Sequence, residues 1–199
     1  MNKKNIIAGT LIATAGISAV ANASEIAKNV ETHDNKGILI AHASISENYK
    51  VTGKAGDQNK REVCVRSYYN NNWNYIIRPH DAEIAVSMAQ AGIEIANNNN
   101  IGYCQAHRNS ALQEFRKCNS ISDIEVKCDV DCSSFVTLAA IASGVPLTVT
   151  SNSLTTRNMI SGFLKTEQFD VIPFTDKSEL RTGDILLKEG RHVAIVVIS

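Results

Sequence analysis

The chain has 199 residues with 20 basic and 20 acidic side chains, three prolines and eleven glycines. That balance excludes the electrostatic footprint of a nucleic-acid-binding protein. No phosphate-binding glycine loop, basic amphipathic helix, internal repeat or long Gly/Ser/Pro linker is present, and the length suits one domain with a proper core.

Met1 to Ala23 has the three parts of a secretory signal: Lys3 and Lys4, the apolar run from Ile6 to Val20, and the small-x-small sequence Ala21-Asn22-Ala23. Cleavage before Ser24 is expected; a membrane anchor is the alternative, but the apolar run is short for spanning. Removal of two lysines leaves 18 basic against 20 acidic side chains. Residues 24–36 are polar and read as a loose arm, with a single domain over residues 37–199. Export to the periplasm or the extracellular space is the expectation, with no membrane contact after signal removal.

Gly37 to Ala43 is an apolar run suited to a first strand, and the polar stretch Asn48 to Lys60 reads as loop. Glu62 to Tyr69 and Trp73 to Arg78 are β-prone runs around Asn70-Asn71-Asn72, a hairpin signal. Tyr68, Tyr69, Trp73 and Tyr75 crowd it, either as sheet packing or as an aromatic wall for a glycan or peptide stem. Ala82 to Ala96 has apolar residues at helical spacing. Ser110 with Gln113 matches a capping box that opens a short helix to Lys117. Leu154 to Leu164 reads as helix and Phe169 to Phe174 as strand.

The most informative stretch is Asp131 to Gly144. Asp131 is a good N-cap type, Gly144 suits the left-handed position past the end, and Pro146 prevents continuation. Cys132 falls in the first turn, where free N–H groups and the helix dipole stabilise a thiolate. This placement predicts a pKa below the ordinary value of about 8.5, and it supplies N–H groups for an oxyanion. Inert core packing is the alternative for a cysteine.

Gly183 to Lys188 and Arg191 to Ile198 are strands about a two-residue turn, Glu189-Gly190. The second is apolar on both faces and so central in its sheet. His192 at its mouth is a candidate general base.

Five cysteines are present: Cys64, Cys104, Cys118, Cys128 and Cys132. In an exported chain with Cys132 free, the other four allow two disulfides in three pairings, with Cys118–Cys128 a local candidate. A zinc site is the rival: Cys104 and His107 have ligand-like spacing, with Cys118 and Cys128 to complete it. The reading adopted needs neither metal nor organic cofactor.

Asp131-Cys132-Ser133-Ser134-Phe135-Val136, followed by Gly183-Asp184-Ile185-Leu186 and His192-Val193-Ala194-Ile195-Val196, resembles the NlpC-type cell-wall cysteine peptidases of the papain-like fold class. More narrowly, several upstream stretches resemble phage and clostridial peptidoglycan amidohydrolase domains. These are His42-Ala43-Ser44-Ile45-Ser46-Glu47, Gly56-Asp57-Gln58, Glu62-Val63-Cys64-Val65-Arg66, Trp73 and Ile101-Gly102-Tyr103. The resemblance covers roughly Ile40 to Val197.

It implies an α+β, papain-like domain with helices packed on an antiparallel sheet and the nucleophile at a helix N-terminus. Cys132 and His192 would be catalytic, with Ser133, Tyr103, Asp57 and Trp73 binding the oxyanion or substrate. The substrate would be bacterial peptidoglycan, cut at an amide of the peptide stem or its junction with the sugar; no inhibitor partner is identified. The family's third polar group normally comes from a strand after the histidine strand, and no such segment follows His192. His42, Asp57, a backbone carbonyl or an unassisted dyad remain open, and Asp184 is expected to shape a turn. Two other readings stand beside the hydrolase. One is an inactive wall-binding domain of the same fold; the other is a transamidase or acyltransferase on the same dyad.

Overall fold

Strand β8 (His192–Ile198) is apolar from Val193 onward and lies inside a six-stranded sheet of order β2-β1-β8-β7-β3-β6, as its composition predicts. The other strands are β1 (Leu39–Ala43), β2 (Val63–Ser67), β3 (Tyr75–Pro79), β6 (Phe169–Pro173) and β7 (Ile185–Lys188). Every pairing in this sheet is antiparallel. A second, two-stranded parallel sheet joins β4 (Ile101–Tyr103) to β5 (Cys128–Val130). The computed structural model describes residues 37–199, so the expected signal sequence and arm lie outside the described residues.

Among the described residues four α-helices complete the mixed α+β domain: α1 (Ala82–Asn97), α2 (Ser110–Cys118), α3 (Cys132–Ala142) and α4 (Met159–Leu164). Helix α1 starts where Asp81 accepts the Glu83 N–H, and buries Met88, Ala91, Ile93 and Ile95. It crosses the sheet at Gly92, over the side chains of Ala41 and Ile195 and beside Phe135 of α3. Helices α1 and α3 thus cover the sheet face that carries Ala41 and Ile195. The opposite face carries Ile40, Ile76, Leu186, Ala194 and Val196, capped by Trp73 with Tyr68, Tyr69 and Phe174 against it.

Helix α3 is buried from Ser133 to Ala140 and opens on a reciprocal cap: Asp131 accepts the Ser134 N–H at 2.7 Å, and Ser134 Oγ accepts the Asp131 N–H at 2.8 Å. Gly144 follows its end at φ +80°, the left-handed conformation expected of it. Gly183 is required on two counts: its φ is +89°, and a Cβ there would lie 2.5 Å from the Ala85 backbone.

Four expectations are corrected. The runs around Asn70–Asn72 do not form a hairpin. β2 pairs with β1 at one edge, while β3 lies between β7 and β6. Period-two patterning reports which face a residue takes, not which strand lies alongside. The turn between β7 and β8 has three residues, because Lys188 pairs with His192. The helix expected from Leu154 begins only at Met159, since Asn158 accepts the Thr155 N–H and holds Thr155–Asn158 as a turn. All five cysteines are free, so the disulfides expected among Cys64, Cys104, Cys118 and Cys128 are absent. Cys128 is buried in β5, while the Cys118 thiol lies nearest the Ser120 carbonyl at 3.1 Å, with those of Glu114 and Phe115 as further acceptors in reach.

Candidate active site

Antiparallel pairing of β1 with β8 sets Ile40 opposite Val196 and Ala41 opposite Ile195. Alternation then places His42 and His192 on the face of Ile40 and Ala194. They meet there: His192 Nε2 is 3.1 Å from His42 Nδ1, with ring centroids 5.3 Å apart and near perpendicular. The Tyr69 hydroxyl lies 3.2 Å from the same Nδ1. Trp73 stacks on His192 at 5.8 Å between centroids and donates its indole N–H to the Tyr69 carbonyl. Trp73 and His42 thus hold the His192 ring in place, with Tyr69 behind His42.

Burial dominates their protonation. His42 is pushed down to about 3, first by burial, then by the charges of His192 and Arg66. His192 is pushed down to about 4 by burial, against the pull of the Asp131 carboxylate. Both rings are neutral near neutral pH. His42 Nε2 is buried with no hydrogen-bond partner among the described residues.

Helix α3 delivers Cys132 to the same end of β8. Its half-buried sulfur is approached by the N–H groups of Val193 and Ser133. These donors lower the thiol pKa, as the helix-start argument requires, yet burial and the neighbouring Asp131 carboxylate outweigh them and push it up to about 12. The expected depressed pKa is therefore corrected: the resting cysteine is a thiol. Among the described residues no hydrogen bond joins its sulfur to the ring of His192, which alternation turns to the opposite face from Val193.

Of the other expected residues, Ser133 is nearest Cys132, but its hydroxyl donates to Asp131 at 3.0 Å and accepts from Arg108 at 2.8 Å. Tyr103 is buried close to Cys132: charge on the sulfur would raise its phenol further above the usual range, where burial already holds it. Tyr69 is similarly close, its phenol raised to about 12 mainly by burial. Trp73 is on the His192 ring. Asp57 stands apart, next to Glu62 and Asp129. Asp184 forms a two-pronged ion pair with Arg78 at 2.7 and 2.8 Å and accepts the Arg181 N–H, the turn-shaping role expected of it.

Two residues gain importance beyond their sequence reading. Arg108 donates to the Asp131 carboxylate at 2.6 Å, bracing the cap of α3. Glu62 is buried, accepts N–H groups from Glu47 and Tyr103, and is raised to about 6 by burial. Arg108 lies in no local motif, and Glu62, although it opens one of the resembling stretches, had no role assigned to it there, so the fold discloses what both do. Beside the β7–β8 turn opens a groove of about 1100 Å³, lined by Trp73, Tyr75, Phe174, Arg157 and Arg191 among others; neither Cys132 nor His192 lines it, and Trp73 is its link to the His192 ring.

A cysteine at the start of a buried helix and a histidine pair on the adjoining antiparallel sheet, at one end of β8, are set in a mixed α+β domain. The family model described as endolysin-like domain matches residues 40–199, and the chain belongs to that family. Membership fits a cell-wall hydrolase in general, with peptidoglycan as the substrate class. No curated protein and no solved structure gives a significant match.

Proposed function

We propose that this chain is an exported, NlpC-type cysteine hydrolase of papain-like architecture that cleaves an amide of the peptidoglycan peptide stem or its junction with the sugar. The observation that supports this reading is that the Cys132 sulfur takes the N–H of Val193, the residue after His192, so the helix start and the His192–His42 pair share one end of β8. Export is supported by the signal-like sequence of residues 1–23.

The chemistry starts from a neutral pair. Donation from His192 Nε2–H to His42 Nδ1 leaves His192 Nδ1 as the free base, so His42 and Tyr69 act as positioning residues. Cys132 loses its proton to His192 as the sulfur attacks the carbonyl carbon. For this step the ring and the sulfur must come together beside Val193, whose N–H already contacts the sulfur. The tetrahedral oxyanion takes N–H groups around Cys132 and Ser133. The imidazolium then protonates the leaving amine, giving a thioester. Water, deprotonated by the same ring, releases the acid and restores the thiol. In the groove at the β7–β8 turn, Arg157 and Arg191 suit the carboxylates of a peptide stem.

One observation favours a second reading, an inactive wall-binding domain of the same fold: the thiol is raised to about 12 and makes no hydrogen bond to His192 among the described residues. Digestion of purified peptidoglycan by the parent and by Cys132→Ala, with fragments weighed, separates them. The hydrolase gives fragments carrying added water from the parent only. Binding without fragments from either protein establishes the inactive domain, and equal digestion by both removes Cys132 from the mechanism.

A further inference from the structure

Away from Cys132, the two small sheet strands bring together three metal-binding side chains. Cys104 follows β4, Asp129 is in β5, and His107 lies on the loop into α2. One ligand atom from each lies within 4.8 Å of the other two. Cys104 Sγ is 3.2 Å from His107 Nδ1. Around a tetrahedral zinc, with bonds of about 2.3 Å to sulfur and about 2.0 Å to nitrogen or oxygen, ligand atoms stand roughly 3.5 Å apart. The cluster needs little contraction to reach that geometry.

The second, independent observation is Asp129 itself. The residue is 1% exposed, and its Oδ1 is buried with no hydrogen-bond partner among the described residues. A buried carboxylate oxygen without a donor is costly unless something cationic meets it. The Gly56 N–H satisfies part of the group, while Asp57 adds a like charge beside it. Asp57 Oδ1 is also buried without a partner. Cys104 is fully buried and His107 is exposed, so the third ligand faces solvent. Cys118 and Cys128, the second pair in the zinc arrangement considered from sequence, are not in this cluster; Asp129 takes their place.

We propose that Cys104, His107 and Asp129 form a site for a divalent transition metal of the zinc class, with a fourth position open to water or to Asp57. A thiolate and an imidazole select zinc over magnesium or calcium, which prefer all-oxygen sites. The metal fastens the loop after β4 to β5. His107 is followed by Arg108, which holds the N-cap carboxylate of α3, and Asp129 stands two residues before that cap. The site is therefore a clamp beneath the Cys132 helix.

The test uses the untagged protein, first freed of metal by chelation. Cobalt(II) is added as a spectroscopic substitute, and zinc in a parallel thermal-unfolding series. A thiolate-to-cobalt charge-transfer band is expected, kept in Cys132→Ala and lost in Cys104→Ser. Zinc is expected to raise Tm by several degrees in the parent, magnesium to leave it unchanged, and His107→Gln to abolish the zinc shift. Because His107 is exposed, that variant keeps the fold, and circular dichroism checks it. Absence of both the band and the shift overturns the site. So does a band that survives Cys104→Ser, or one that disappears in Cys132→Ala. None of these readouts requires hydrolysis, so the clamp and the proposed activity stand or fall separately.

Discussion

His192 Nε2 lies 3.1 Å from His42 Nδ1, so the histidine of the last strand is oriented from the first. The contact depends on β1 and β8 being neighbours in an antiparallel sheet. Under the proposed mechanism His42 fixes the tautomer that leaves His192 a base. His42→Ala is expected to lower peptidoglycan hydrolysis by about 100-fold, the lower end of what a positioned acid–base contributes. His42→Asn, which keeps a polar atom for the ring, should restore part of the loss. Equal activity of both variants and the parent would reject the positioning role.

The thiol of Cys132 is raised to about 12 in the resting protein. Alkylation by iodoacetamide at about pH 7 is then slower than for an unstructured cysteine, and it accelerates as pH rises. Peptide mass spectrometry locates the label. Rapid modification of Cys132 at about pH 6 would instead show a preformed thiolate.

Arg108 and Asp131 form an ion pair at 2.6 Å, with side chains 16% and 7% exposed. Removing one partner leaves a buried charge without compensation. Arg108→Ala is expected to cost about 3 kcal/mol or more, read as a lower urea midpoint with an unchanged slope. Asp131 would also lose its brace at the Cys132 helix, so activity should fall with stability. A midpoint equal to the parent's would contradict the argument.

Burial holds His42 and His192 at about 3 and about 4, below the ordinary value of 6.5. The unfolded chain takes up protons on these rings as pH falls through 6.5, while the folded chain resists. Their contribution is complete above 6.5 and is lost progressively toward the folded values. Glu62 acts in the opposite sense: raised to about 6 from 4.5, it takes its proton first in the fold and adds stability as pH falls between those values. Two histidines outweigh one glutamate. Tm is expected to be several degrees lower at about pH 5 than at about pH 7, and the slope should flatten in His42→Gln. A Tm independent of pH in the parent would count against buried neutral histidines.

Much of the frame could be read from sequence because it is written in local chemistry. Asp131, Cys132 and Gly144 mark the start, nucleophile candidate and end of α3, since caps and left-handed ends depend on residues within one turn. The unbroken apolar run of β8 announced a central strand. Helix α1 followed from its spacing. The apparent hairpin at Asn70–Asn72 failed because alternation carries no information about which strand pairs with which.

The arrangement around the thiol was decided by tertiary contacts. His42 becomes the partner of His192 only because β1 pairs with β8, across 150 positions of sequence. The helix start predicts a lowered thiol pKa, but desolvation depends on everything packed around Cys132, and that larger effect reverses the sign. Likewise Asp129 joins Cys104 and His107 only through the parallel pairing of β4 with β5. Sequence by itself determined which residues could carry the chemistry. The fold decided which of them meet and in what charge state, because both depend on neighbours far away in the chain.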